Sequence, residues 1–251
     1  MKIVVFVCCI TLCVKVFSQS NRLQGDASLS LGMLLPNKID GPNSTSSTGM
    51  LQFGNTGYSI QADCHSGLGN GWKIGLAFSL LFSPINENAL NEYLLTTVES
   101  DGYYAALKKS SAYGYSSRSG AVQIANDIRT GNWILTPKFN LGIVAQNVSF
   151  QSVFDLKEIG SNYRKEVTIS NDGFPTYGVL LSPGIKIGYA FPFFGDQCCV
   201  FLMGDVLKYR CPIRLDYVTE DILGTSFTNI RWSSGSMFYR NIGIGLTYYV
   251  N

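Results

Sequence analysis

The sequence predicts an all-β chain, an eight-stranded antiparallel up-and-down β-barrel that crosses a membrane on its strands. Three observations carry that prediction. Segments of 8 to 12 residues alternate large apolar with small or polar side chains, the period of a strand with two unlike faces. The runs match the ~9–11 residues of a membrane-crossing strand better than the ~5–6 of a soluble one. Links between them alternate between tight glycine-bearing turns and long polar stretches.

Strands are expected near 26–35, 57–66, 71–83, 118–128, 132–156, 176–191, 199–211 and 235–250. In 71–83, Trp72, Ile74, Leu76, Phe78, Leu80 and Phe82 share one face; Lys73, Gly75, Ala77 and Ser79 share the other. In 132–156, Trp133, Leu135, Phe139, Leu141 and Ile143 oppose Thr136, Lys138, Asn140 and Gly142. In 176–191, Ile185, Ile187, Tyr189 and Phe191 oppose Gly184, Lys186 and Gly188; the last strand sets Ile242, Ile244, Leu246 and Tyr248 against Gly243, Gly245 and Thr247. Glycine-rich faces fill a core poorly, so the large side chains are expected to face outward, into lipid. Segment 199–211 is apolar on both faces, 132–156 changes phase near Asn147, and 118–128 also reads as a short helix. Leu90, Tyr93, Leu94 and Val98 have helical spacing within the longest link.

Tight turns are expected at 67–70, 129–132 and 192–197, and long polar loops at 36–56, 84–117, 157–175 and 212–234. Trp72, Trp133, Tyr189, Phe191 and Tyr248 all fall toward the short-turn end, where an aromatic girdle would meet one membrane interface.

Composition agrees with a lipid-facing chain. Only 14% of the 251 residues are charged, with 26 Gly, 14 Tyr and 15 Phe. Residues 1–18, "MKIVVFVCCITLCVKVFS", read as a secretory signal peptide cleaved before Gln19, which leaves residues 19–251 as the barrel domain. Without Lys2 and Lys15 the 19 basic residues become 17, equal to the 17 acidic ones, and no nucleic-acid partner is indicated. Cys64, Cys198, Cys199 and Cys211 show no CxxC spacing and no simple disulfide scaffold.

An eight-stranded barrel has a lumen its own side chains can fill. The strand phases turn Asp63, His65, Lys73, Asp127, Lys138 and Lys186 inward, where they would form a polar network. A basic residue on the lipid face near the midplane would cost about 2–4 kcal/mol. His65 is the one histidine, with Asp63 two residues away on the same face, while Cys64 and Ser66 point oppositely. A catalytic His65 would need its nucleophile at hydrogen-bond distance. No metal-ligand spacing, cofactor motif, phosphate loop or nucleophile elbow is present.

The residues Asn241, Gly243, Leu246 and Tyr248 resemble the C-terminal strand signal of outer-membrane barrels, although the chain runs on through Tyr249, Val250 and Asn251. With the signal peptide and the eight-strand plan, residues 19–251 resemble the small OmpA/OmpX-like outer-membrane barrels. The resemblance implies a bacterial outer-membrane location, outer-membrane lipids as surroundings, and barrel-assembly machinery as the partner during insertion. It leaves function open. A non-enzymatic structural or surface-interaction protein is the leading expectation. The alternatives are an accessory of a secretion or assembly machine, a small hydrolase or acyltransferase using His65, and a soluble lipocalin-like binding barrel.

Overall fold

The computed structural model describes residues 25–36, 54–99, 103–160, 163–191, 197–221 and 223–250. The expected signal peptide, most of the 36–56 link and nearly all of the 192–197 turn lie outside them. Ten strands and one helix of more than one turn occur among the described residues. They run β1 (Gly25–Pro36), β2 (Gly57–Gly69), β3 (Trp72–Ser83), α1 (Glu87–Glu99), β4 (Tyr103–Asn126), β5 (Ile128–Thr130), β6 (Trp133–Glu158), β7 (Arg164–Asp172), β8 (Thr176–Ala190), β9 (Cys198–Asp221) and β10 (Ser226–Val250).

Eight of the strands hydrogen-bond in an antiparallel ring, in the order β1, β2, β3, β4, β6, β8, β9, β10 and back to β1. Leu29 leads through paired residues Ala62, Phe78, Gly120, Ile143, Val179 and Arg210 to Ser236. Leu29 itself pairs with Leu246, so the circuit closes with a stagger of ten residues. At ~3.3 Å per residue and ~4.8 Å between strands, that stagger over eight strands tilts them about 40° from the ring axis. β5 continues the hairpin to β6 beyond Asp127, and β7 is inserted between the upper parts of β6 and β9.

The two faces of the ring exchange chemistry along its height. Nearest the short turns, the outward side chains are large and apolar: Leu29, Ile74, Leu135, Leu141, Ile185, Ile187 and Ile244 are all exposed. Most inward ones are polar and buried, including Ser28, Gln61, Asp63, Gln123, Asn140, Ser182 and Asn241, with Ile134, Phe201 and Met203 the large apolar exceptions. On β6 the exposed run from Trp133 to Ile143 spans about 25 Å of height at that tilt, close to the apolar band of a membrane barrel.

Above this belt the pattern reverses. Val148, Phe150, Phe154, Leu156, Val167, Ile169, Leu207, Ile213 and Leu215 point inward and are buried in one cluster. Their outward neighbours on β6, Gln151, Asp155 and Lys157, are exposed. A sheet with water outside and a dry interior has this polarity.

Several expectations need correction for that reason. Three of the expected long polar loops, 84–117, 157–175 and 212–234, are largely regular structure among the described residues. The 84–117 link contains α1 and the first half of β4, the 157–175 link contains β7, and 212–234 is mostly the upper ends of β9 and β10. Their solvent faces are polar, so Ser, Thr, Asn and Tyr there read as loop residues. β6 does not change phase near Asn147: even-numbered residues face inward throughout, and what changes is which face is apolar. The bulges lie on its partner β4, at Leu107/Lys109 and Ala112/Gly114, where Gly114 has φ 128°. Segment 118–128 is strand, not helix. The 199–211 run is apolar on both faces because Phe201 and Met203 stand inward among the polar lining, against Gly188, Gly243 and Gly245, while Leu202 faces outward.

α1 does have the helical spacing expected of 90–98. Asn86 caps it, accepting from the Ala89 amide at 3.2 Å. Leu90, Leu94 and Val98 are buried in the upper cluster, with Asn91 held by Ser152 at 2.7 Å; Tyr93 is left exposed. Burying three such aliphatic side chains contributes about 1.5–3 kcal/mol each, so the stripe pins α1 to the interior of the upper section.

Candidate functional site

The inward polar residues of the lower section assemble into two connected groups. The first, at the short-turn end, joins Asp26, His65, Lys73 and Asp127. Asp26 and His65 are directly paired across β1 and β2, and His65 Nδ1 lies 2.7 Å from Asp26 Oδ1. Lys73 forms ion pairs with Asp26 and, at 2.5 Å, with Asp127. Thr136 donates to Asp127 at 2.7 Å, and the Tyr249 ring has Lys73 and Arg129 each 4.7 Å from its centre. His65 Nε2 meets the Gln123 side-chain oxygen, and Gln123 in turn donates to Asn140 at 2.6 Å.

The second group lies deeper. Lys186 reaches across from β8 to Asp63 on β2 at 2.6 Å and to Ser28 on β1 at 2.9 Å; Ser28 donates to Asp63 at 3.1 Å. Lys138 of β6 donates to Asp205 of β9 at 3.0 Å, and both side chains are 0% exposed. Gly184 makes room for this pair: a Cβ there would stand 1.9 Å from Asp205 Oδ1. Together four carboxylates face three ammonium groups and one imidazole, which is how a dry interior holds charge without leaving it unpaired.

The six residues expected to turn inward sit on the inner face, and register across the strands decides which of them meet. His65 pairs with Asp26 on the neighbouring strand, while Asp63, two residues along its own strand, goes to Lys186. Asp26, Gln123 and Asp205 join them from neighbouring strands. Asp26 opens its strand, and Asp205 lies in the run with apolar residues on both faces. Both His65 nitrogens are engaged, and Ser66 and Cys64 belong to the opposite, outward parity of β2. No disulfide forms among Cys64, Cys198, Cys199 and Cys211.

Between this network and the upper cluster lies a cavity of about 10 Å³, lined by Gln61, Asp63, Ser79, Ser119 and Asn140, room for a single water. In the upper section Tyr209 meets Ser117 at 3.2 Å, and burial pushes the Tyr115 and Tyr209 phenols well above their ordinary range.

Exposed aromatics stand at both ends of the apolar run, within it at Phe78 and Phe139, and above it at Tyr104, Phe227 and Trp232. Trp133 and Tyr189 meet edge-to-face at 5.2 Å, with Phe191 5.7 Å further, and exposed Trp72 and Tyr248 lie at the same short-turn end. At the other edge Tyr58 and Phe82 stack at 5.0 Å beside Tyr113, rimming an outer-wall cleft of about 330 Å³ that also takes in Ser116, Asn147 and Ser149. Asn241 is fully buried inward, pairing through Oδ1 with Ser59 at 2.8 Å, while Leu246 and Tyr248 face outward and Gly243 lies against β1.

No family model matches the chain, and no curated protein matches it. Among solved structures it is similar to a major outer membrane protein from Thermus thermophilus, at 10% identity over 92% of this chain and 100% of the other, with a TM-score of 0.44. It is also similar to the P. putida toluene transporter TodX, at 8% identity over 92% and 90% with a TM-score of 0.20. The CymD monoaromatic hydrocarbon channel matches at 7% identity over 90% and 88%, TM-score 0.20. Likenesses this distant carry no inference about activity.

Proposed function

We propose that this chain is an integral outer-membrane protein, an eight-stranded barrel with a side-chain-filled lumen and no enzymatic activity. Its role is structural or one of surface contact. The single observation behind this is the exchange of faces: exposed Leu, Ile and Phe around a polar, ion-paired interior over about 25 Å, then the reverse above it. A lipocalin-like soluble barrel would carry its apolar face inward along its whole height. The short turns lie on the periplasmic side, and the upper section, with α1 inside it and β7 in its wall, stands beyond the outer leaflet. Its outer wall is the surface available to a partner, including one belonging to a secretion or assembly machine.

The ion-paired groups, the water-sized cavity and the apolar cluster above it argue against a pore. A hydrolase using His65 would need a ring nitrogen free for its nucleophile, and both are taken by Asp26 and Gln123. In planar bilayers the purified protein is therefore expected to give no steady conductance, and His65→Ala is expected to leave membrane lipid composition unchanged. Discrete, lasting conductance steps would overturn the filled lumen. A shifted lipid profile in the His65→Ala strain would return the site to chemistry.

A further inference from the structure

Resting on the membrane reading above, we infer that the outer wall of β9 and β10 binds a phosphorylated lipid through Lys208 and Arg240, with Arg210 flanking them. Lys208 is paired with Phe238, Arg240 with Val206, and Arg210 with Ser236, so the three cations share the outward face of two adjacent strands. All three are exposed. Steps of two residues along a strand, or one diagonal across a pair, separate neighbouring cations by about 7–8 Å.

The position of the patch selects the ligand. The next outward residues below it are Ile242, Ile244 and Leu202, exposed members of the apolar belt, so the cations stand at its upper edge. The outward residues bordering Lys208 and Arg240 are Leu35 on β1, Leu181 on β8, and Val206 and Phe238 beside them, all of them apolar. Lys208 and Arg240, like charges this close, repel one another, and a phosphate between them removes the repulsion. Acyl chains attached to that phosphate would lie along Ile242 and Ile244. A soluble anion would gain nothing from those residues, so the geometry favours the headgroup of an outer-leaflet lipid.

The test uses full-length protein in uncharged detergent, with dioleoylphosphatidic acid, dioleoylglycerol and inorganic phosphate as probes, read by native mass spectrometry. Phosphatidic acid is expected to bind at least tenfold more tightly than either of the other probes. Lys208→Gln/Arg240→Gln, two exposed substitutions, is expected to weaken that binding about 25-fold, roughly fivefold per cation. Equal binding of dioleoylglycerol, or no effect of the double variant, would overturn the inference. Inorganic phosphate binding as tightly as the lipid would replace it with a soluble-anion site. Heat-dependent gel mobility of the same samples separates the two levels of failure. If that mobility shift is absent from the wild type, the membrane reading fails; if it is present while lipid binding ignores the charges, only this inference fails.

Discussion

Lys138→Met is expected to destabilise the folded chain by about 3–5 kcal/mol, because it strands the Asp205 carboxylate in a site that water does not reach. The pair is 3.0 Å apart with neither side chain exposed, and it ties β6 to β9 across the lumen. The cost comes from the uncompensated charge more than from the lost attraction. Asp205→Leu alone should therefore be similarly damaging, and Lys138→Met/Asp205→Leu should recover most of the loss. Urea unfolding in detergent, followed by tryptophan fluorescence, measures all three variants. Single variants costing under about 1 kcal/mol would mean that the interior is wet, and the filled-lumen account would fail.

Ile244→Arg carries the next largest expected effect. Ile244 is 55% exposed, pairs with Leu31 and Leu202, and lies near mid-height of the belt. On the surface of a water-soluble protein such a change is nearly neutral, within about 0.5 kcal/mol. In lipid an arginine near the midplane costs about 2–4 kcal/mol. Thr228→Arg, on the exposed upper part of the same strand, serves as the control and should stay near zero. Unfolding of both variants from lipid bilayers measures the difference. Equal, small costs at the two positions would show that the exposed isoleucines do not meet lipid.

The lower section was legible in the sequence where a strand keeps one face largely apolar and bulky, as β3, β6, β8 and β10 do. Period two then fixes which residues face the lumen, and parity alone placed Lys73, Lys138, Lys186 and Asp63 there. The upper section was not legible in this way. Its inner wall is apolar and its outer wall more polar, so a strand crossing the boundary can lose a constant face, as β6 does. β7 contributes only Val167 and Ile169 to the upper cluster, too few for an apolar period to stand out from RKEVTISND.

The pairing within the lumen was hidden for a different reason. Two residues apart on one strand, Asp63 and His65 look like partners, yet the residue directly opposite His65 is Asp26. Register across strands decides that contact, and a single strand's sequence does not contain it. Asp205 is hidden in the sequence because its own face carries the apolar Phe201, Met203 and Leu207 around it, and the opposite face carries Leu202 and Val206. The upper aromatic rim of Tyr58 and Phe82 was available to parity reasoning, since both are outward residues at strand ends opposite the tight turn.

The most direct test of the inverted faces is the gel mobility of protein extracted from the outer-membrane fraction, unboiled against boiled. A closed ring of hydrogen-bonded strands with lipid outside and paired charges inside is expected to stay folded in detergent. It should migrate differently until heated, and it should be found in that fraction. Protein recovered in the soluble fraction, with one mobility before and after heating, would contradict the account and turn every apolar face of the lower section back toward a core.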